Sequence, residues 1–290
     1  MRANDREPLA KKPALKFGEM RSWAQAAVRA LLILAALSAQ SRAEMKGQYA
    51  QDLGKLPFDK PFSIKNPSHD SSILCLSSAS DPNLIGLFHE IRIKAPVKTL
   101  IAVFEDYEHY PEIFESLRKA KVTKKEASTV WIDFESVVPF FLAPNSKYSM
   151  IYRTLADFAE LKSSAYKAYS FTLDRSKDLN SLDGVSIIKQ IDSETSLYQE
   201  VDFLDANWGA AKFFAPGAIW KDSVEELVRT DLAMKIRAEE PELPSKKLMK
   251  KANAELKEED VKHCIQNKMS AQDFFASILP QNITIKKAAP

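Results

Sequence analysis

The sequence predicts an α+β fold: a curved antiparallel sheet of about seven strands around a long C-terminal helix, with two short helices after the first strand. Three observations predict it. Residues 84–94 alternate, with Ile85, Leu87, His89, Ile91 and Ile93 on one face and Gly86, Phe88, Glu90, Arg92 and Lys94 on the other, the period-two pattern of a half-buried strand. Six strand-like runs follow, joined by connections too short for parallel crossovers. Finally, Phe213, Phe214, Ile219, Trp220, Val224, Leu227, Val228, Leu232 and Ile236 recur mostly three and four residues apart, the stripe of an amphipathic helix that a sheet can cover.

Each element has a local reason. Ala95-Pro96 ends the first strand, and proline suits the first turn of a helix. Leu100, Ile101, Val103 and Phe104 form a helical stripe that Tyr110-Pro111 interrupts; Ile113, Phe114 and Leu117 continue its buried face. The further strands are expected at 119–125, 129–138, 147–155, 166–173, 185–191 and 197–204. Turns are expected at 126–128, 143–145, 180–184 and 192–194, where Gly, Pro, Asn, Asp and Ser collect. Glu240-Pro241-Glu242-Leu243-Pro244 stops the long helix. A charged helical segment begins at 246, and a short helix over 271–279 is expected after Ser270 as its cap.

Four regions are expected: a signal peptide at 1–43, a Pro/Ser-rich lead-in at 44–80 without a core of its own, the main domain at 81–240 and a charged helical tail at 241–290. The clean apolar run 30–39 is short for a membrane span of roughly 20 residues. It follows basic residues from Arg2 to Arg21 and ends in Ser41-Arg42-Ala43, a cleavage-like site. Met20 is an alternative start to Met1. The expectation is export, periplasmic or secreted, after cleavage near Ala43. Removing residues 1–43 takes eight of the 41 basic and three of the 39 acidic residues, leaving 33 and 36 and a net charge of −3. That balance argues against nucleic acid as a partner. Cys75 and Cys264, the two cysteines, have in an oxidising compartment two readings, a disulfide or two buried thiols.

No nucleophile elbow, zinc-helix motif, phosphate loop or C-x-x-C is present. The four histidines, His69, His89, His109 and His263, have no metal-ligand spacing. No cofactor or metal is expected.

The residues Ile91-Arg92-Ile93-Lys94-Ala95-Pro96-Val97, the helix pair Val103 to Phe114 with its D-Y-x-x-Y-P-x-x-F pattern, and Lys119-Ala120-Lys121-Val122 carry a resemblance. Over residues 84–240 the chain resembles the START-like superfamily, also called Bet v 1-like, polyketide cyclase-like or SRPBCC. The resemblance implies a helix-grip fold with a hydrophobic cavity between sheet and helix. It also implies binding or transfer of a lipid or similar apolar ligand more often than catalysis. Fold alone does not decide function.

The expected ligand-binding residues are Leu87, His89, Ile91, Ile93, Phe134, Trp208, Trp220, Val224 and Leu227. His89 has two readings, a polar group orienting a ligand head or a hydrogen-bonded core histidine. Arg153 and Lys189 have two readings, pairing with an acidic ligand headgroup or a place on the solvent face; the second is expected, because a buried unpaired charge is costly. Phe140, Phe141 and Leu142 form an apolar loop suited to transient membrane contact or to folding onto the core. The basic run 246–251 has two readings, contact with anionic lipid or a solvated helix face, and the second is expected. Two alternatives stand beside ligand binding: a cyclase- or hydrolase-type enzyme using the same pocket with His89 as its acid–base group, and a packed module docking to a protein partner.

Overall fold

The computed structural model describes residues 45, 47–56, 71–137, 146–157, 166–207 and 216–278, all within the unit Met45–Pro290. The expected signal peptide, Phe140, Phe141, Leu142, Trp208, Phe213 and Phe214 lie outside the described residues.

The elements run α1 (Ala50–Leu53), β1 (Ser71–Ser77), β2 (Ile85–Ile93), α2 (Val97–Glu105), a 3₁₀ turn (Tyr107–His109), α3 (Tyr110–Ile113), β3 (Leu117–Glu126), β4 (Thr129–Ser136), β5 (Ser146–Asp157), β6 (Tyr166–Ser176), β7 (Leu179–Gln190), β8 (Ser196–Ala206), α4 (Pro216–Glu239), α5 (Ser245–Glu255), α6 (Glu258–Gln266), β9 (Met269–Ser270) and α7 (Ala271–Ile278). The strands form one sheet in the order β3-β4-β5-β6-β7-β8-β2-β1-β9. All pairings are antiparallel except that of β1 with β9, where Leu76 lies beside Met269. A curved, unclosed antiparallel sheet gripping one long helix is the helix-grip fold.

The sheet has nine strands rather than seven, because segments on both sides of residues 81–240 join it. β1 lies beside β2 from Ser71↔Ile91 to Ser77↔Ile85, and β9 adds a two-residue parallel edge. The β6–β7 turn also falls earlier than the sequence suggests, at Lys177-Asp178, where the Ser176 hydroxyl accepts from the Asp178 and Leu179 amides at 3.0 Å each. Asn180 through Gly184, expected as a break, belong to β7. Gly184 is there for close approach: a Cβ at this position would stand 2.2 Å from Phe171 Cζ and 2.8 Å from the Val201 carbonyl oxygen.

The alternation of β2 is visible, but the strand is not half-buried: every residue from Ile85 to Ile93 except Arg92 is buried. Two cores explain this. On one face Leu87, Ile91, Ile93, Ile132, Met150, Phe171 and Ile188 pack against Leu100 and Phe104 of α2 and Trp220, Val224, Val228 and Leu232 of α4. On the other face Leu76, Phe88, Val185, Val201 and Phe203 pack under Tyr49, Leu53 and Leu56 near α1 and Ala271, Phe274 and Phe275 of α7. Tyr49 meets Phe203 with ring centroids 4.4 Å apart, and Phe88 meets Phe274 at 5.5 Å. Burying Phe274 and Phe275 stabilises this cover by roughly 3–6 kcal/mol in transfer terms.

The helix pair after β2 is fixed by packing and one bond. Tyr110 donates its hydroxyl to the Phe104 carbonyl at 2.6 Å, and Pro111 occupies the first turn of α3, where no amide is needed. The outer side of α4 is covered in turn: Lys235 bridges Glu255 of α5 at 2.7 Å, and Arg229 Nε donates to Asn253 at 2.7 Å. Cys75 of β1 and Cys264 of α6 form a disulfide with Cα atoms 5.2 Å apart. It ties the first strand to the helices after α4. Ser270 caps α7, accepting from the Asp273 amide at 3.0 Å.

Candidate ligand site

The face of the sheet beneath α4 carries a polar patch. Register places it: on β8, Tyr198, Glu200 and Asp202 alternate onto this face, opposite Ile91, His89 and Leu87 of β2 and Ile188, Ser186 and Gly184 of β7. Asp231 comes down from α4. His89 Nδ1 lies 2.7 Å from Asp231 Oδ2, and its Nε2 lies 3.2 Å from Ser71 Oγ. The hydroxyls of Tyr198 and Ser186 both donate to Glu200 Oε2, the latter at 2.5 Å. Asp202 Oδ1 is buried without a hydrogen-bond partner among the described residues.

Burial sets the charge state of the patch. It pushes His89 down to about 4, against the pull of Glu200 and Glu90. It raises the Asp231 carboxyl well above its ordinary range. Burial therefore disfavours the charged form of both partners in the His89–Asp231 hydrogen bond. Glu200 is pushed up to about 8, first by burial and then by the neighbouring Asp231 carboxyl. Asp202 is raised by burial and then by Glu200 and Asp231. At neutral pH the Glu200 carboxyl is mostly a neutral acid, able to donate as well as accept.

Glu200 is enclosed by protein atoms yet only half-buried by accessible surface. The same holds for Tyr148 and Tyr152 on β5. Glu200, Tyr148 and Tyr152 thus keep accessible surface on the sheet face that carries α4. Leu182, Leu204 and Leu227 pack on the same core and are also incompletely buried. The aromatic wall continues from Tyr152 to Tyr107 at 5.1 Å and to Phe171 at 5.8 Å between ring centroids. A separate concavity of about 210 Å³ lies at the β6–β7 hairpin between Leu173, Arg175, Leu179 and Asn180; none of the patch residues lines it.

The structure brings most of the expected lining residues together but seals many of them. Leu87, Ile91, Ile93 and Val224 are at most 2% exposed, and Phe134 and Trp220 5%; these side chains are core. Among the described residues of the apolar set, Leu227 alone stays half-buried. Both ring nitrogens of His89 are engaged and the residue is fully buried, so it fits the core-histidine reading. Trp220 donates to the Pro82 carbonyl at 3.5 Å and lies under Lys268 Nζ at 3.6 Å. Arg153 and Lys189 fall on the sheet face away from α4, as the register of Arg153 with Thr129 requires.

Glu200, Asp202 and Asp231 were not among the expected site residues. The signal was available: in Tyr198-Gln199-Glu200-Val201-Asp202 both acids alternate onto the face of the buried Tyr198, and Asp231 lies seven residues after Val224 inside the apolar stripe. A charged residue at a core position is the mark to read. Among the described residues no group of three or more potential ligands is arranged to hold a metal ion.

No family model matches the chain, and no curated protein matches it. Solved structures similar to it include the protein TTHA0849 from Thermus thermophilus, at 11% identity and a TM-score of 0.45 over 55% of this chain and 99% of that one. They also include the Zhui aromatase/cyclase from Streptomyces sp. R1128, at 14% identity and a TM-score of 0.40 over 60% and 96%. A third is the human StarD13 (DLC2) lipid transfer and protein localization domain, at 12% identity and a TM-score of 0.45 over 68% and 98%. At these identities and TM-scores the likeness is one of fold alone.

Proposed function

We propose that this chain binds, and carries, a small hydrophobic molecule in the gap between the sheet and α4, with the polar end of the ligand at Glu200. One observation carries the reading. Glu200 sits at the centre of the sheet, oriented by Tyr198 and Ser186, enclosed but still accessible, beside the half-buried Tyr148 and Tyr152. An apolar enclosure with a few convergent polar groups is the usual form of a small-molecule site. The test is native mass spectrometry of the protein purified without detergent. A bound apolar molecule released on denaturation is expected; an empty protein that also binds no alkyl probe would contradict the reading.

A second reading has one observation in its favour. A neutral carboxyl titrating near 8 in an enclosed site suits general acid catalysis. An enzyme of this kind would use Glu200, since His89 has no free nitrogen. Turnover of a bound compound that Glu200→Gln abolishes while binding survives would establish it.

We further propose that the protein is exported, with cleavage near Ala43. The signal-like sequence and the cysteine pairing support this, since disulfides persist in oxidising compartments. The mature protein isolated from its source is expected to begin at Glu44, and a start at Met1 or Met20 would refute export by cleavage. Phe140, Phe141 and Leu142 are the proposed membrane-contacting residues; vesicle flotation unchanged by Phe141→Asp would argue against them.

A further inference from the structure

Among the described residues, the polar patch beneath α4 contains three carboxyl groups and no lysine or arginine. Glu200 is bonded by two hydroxyls, Asp231 by the His89 ring, and Asp202 leaves Oδ1 without a partner. No lysine or arginine is bonded to any of the three among the described residues. Buried carboxyls are ordinarily paired or metal-bound. Of the three, Glu200 alone keeps accessible surface, while Asp202 and Asp231 are buried. The Tyr198 hydroxyl bonds Glu200, and the half-buried rings of Tyr148 and Tyr152 lie on the same sheet face. Ring faces attract ammonium groups and repel anions.

Resting on the binding role proposed above, we infer that the ligand is an amphiphile whose polar end is a protonated amine, held by Glu200 within the field of Asp202 and Asp231. An ammonium has three donors and no acceptor. It matches a patch rich in acceptors. An alcohol head offers one donor and no charge. A carboxylate or phosphate head would bring a negative charge beside three carboxyl groups, none of which is bonded to a lysine or arginine among the described residues. Amine binding favours the ionised form of Glu200, so at pH 7 it expels the Glu200 proton to solvent; the ammonium keeps its own.

The experiment is titration calorimetry of the purified full chain with dodecylamine, 1-dodecanol and dodecanoate at pH 7, in buffers of different ionisation enthalpy. Dodecylamine is expected to bind about tenfold more tightly than the alcohol, with dodecanoate weakest. Proton release is expected with the amine and none with the alcohol. Glu200→Gln is expected to bring the amine down to the affinity of the alcohol and to end the proton release. Equal or tighter binding of the alcohol or the carboxylate overturns the amine inference while leaving a ligand-binding role intact. Binding of none of the three overturns the binding role itself. Should Glu200→Gln fail to fold by circular dichroism, the affinity order and proton release of the unaltered protein decide the matter.

Discussion

Gly184 and Glu200 lie one strand apart on the same face and illustrate opposite constraints. Gly184 is small because Phe171 and the Val201 carbonyl occupy the space of a side chain. Gly184→Ala is expected to lose about 2 kcal/mol through overpacking, read as a lower denaturation midpoint at unchanged slope; an unchanged midpoint would mean that the sheet yields there at no cost. Glu200 is constrained by protonation. Its carboxyl titrates near 8 in the folded chain against an ordinary 4.5, so the folded state keeps a proton that the unfolded chain releases, and stability falls as pH rises through 8. His89 works in the other direction: held near 4 against an ordinary 6.5, it weakens the fold as pH drops from 6.5 towards 4. The two oppose each other between pH 4.5 and 6.5, and above 6.5 the acids dominate. Urea midpoints are therefore expected to be lower at pH 9 than at pH 6, with the difference reduced in Glu200→Gln. A higher midpoint at pH 9 would contradict the assignment of buried, protonated acids.

At the scale of elements, the departure from a single-helix grip is the second cover on the sheet. α7 and the segment around α1 bury Phe88, Val201 and Phe203 on the face away from α4, and the disulfide fastens α6 to β1. The bond spans 189 residues of sequence, so its removal is expected to cost about 2–5 kcal/mol. Reduction is expected to lower the melting temperature and to admit protease at residues 267–270 before the sheet unfolds. Unchanged melting and no early cleavage would show that packing of Phe274 and Phe275 holds this cover without the covalent tie. The cover was hard to read from sequence. Tyr49, Leu53, Leu56, Phe274 and Phe275 lie in short elements at opposite ends of the described chain, and nothing local says that they meet on one sheet face. The kinked helix pair and α4 were legible because Pro96, Pro111 and the stripe from Trp220 to Ile236 are local signals. The β6–β7 turn was misplaced because Asn180 and Gly184 look like punctuation, while the working turn uses the Ser176 hydroxyl.

For the whole molecule, the helix-grip arrangement decides where a ligand can go. The sealed side chains of Leu87, Ile91, Ile93 and Val224 close one part of the sheet–helix interface. Glu200, Tyr148, Tyr152 and Leu227 keep accessible surface, and the proposed open part of the interface is there. The sequence located this interface but assigned its lining to the apolar positions, because alternation reports which face a residue takes and not how tightly that face packs. The acids of the patch were passed over for a related reason: a charged residue in a strand reads as solvent-facing until tertiary packing buries it. The central claim is that this open part is a binding site. Its most direct test is equilibrium binding of a fluorescent dodecyl probe to the full chain and to Leu227→Trp, whose indole fills the gap. Saturable binding to the unaltered protein and at least tenfold weaker binding to the folded variant, about 1.4 kcal/mol, is the expected result; equal binding to both would contradict the account.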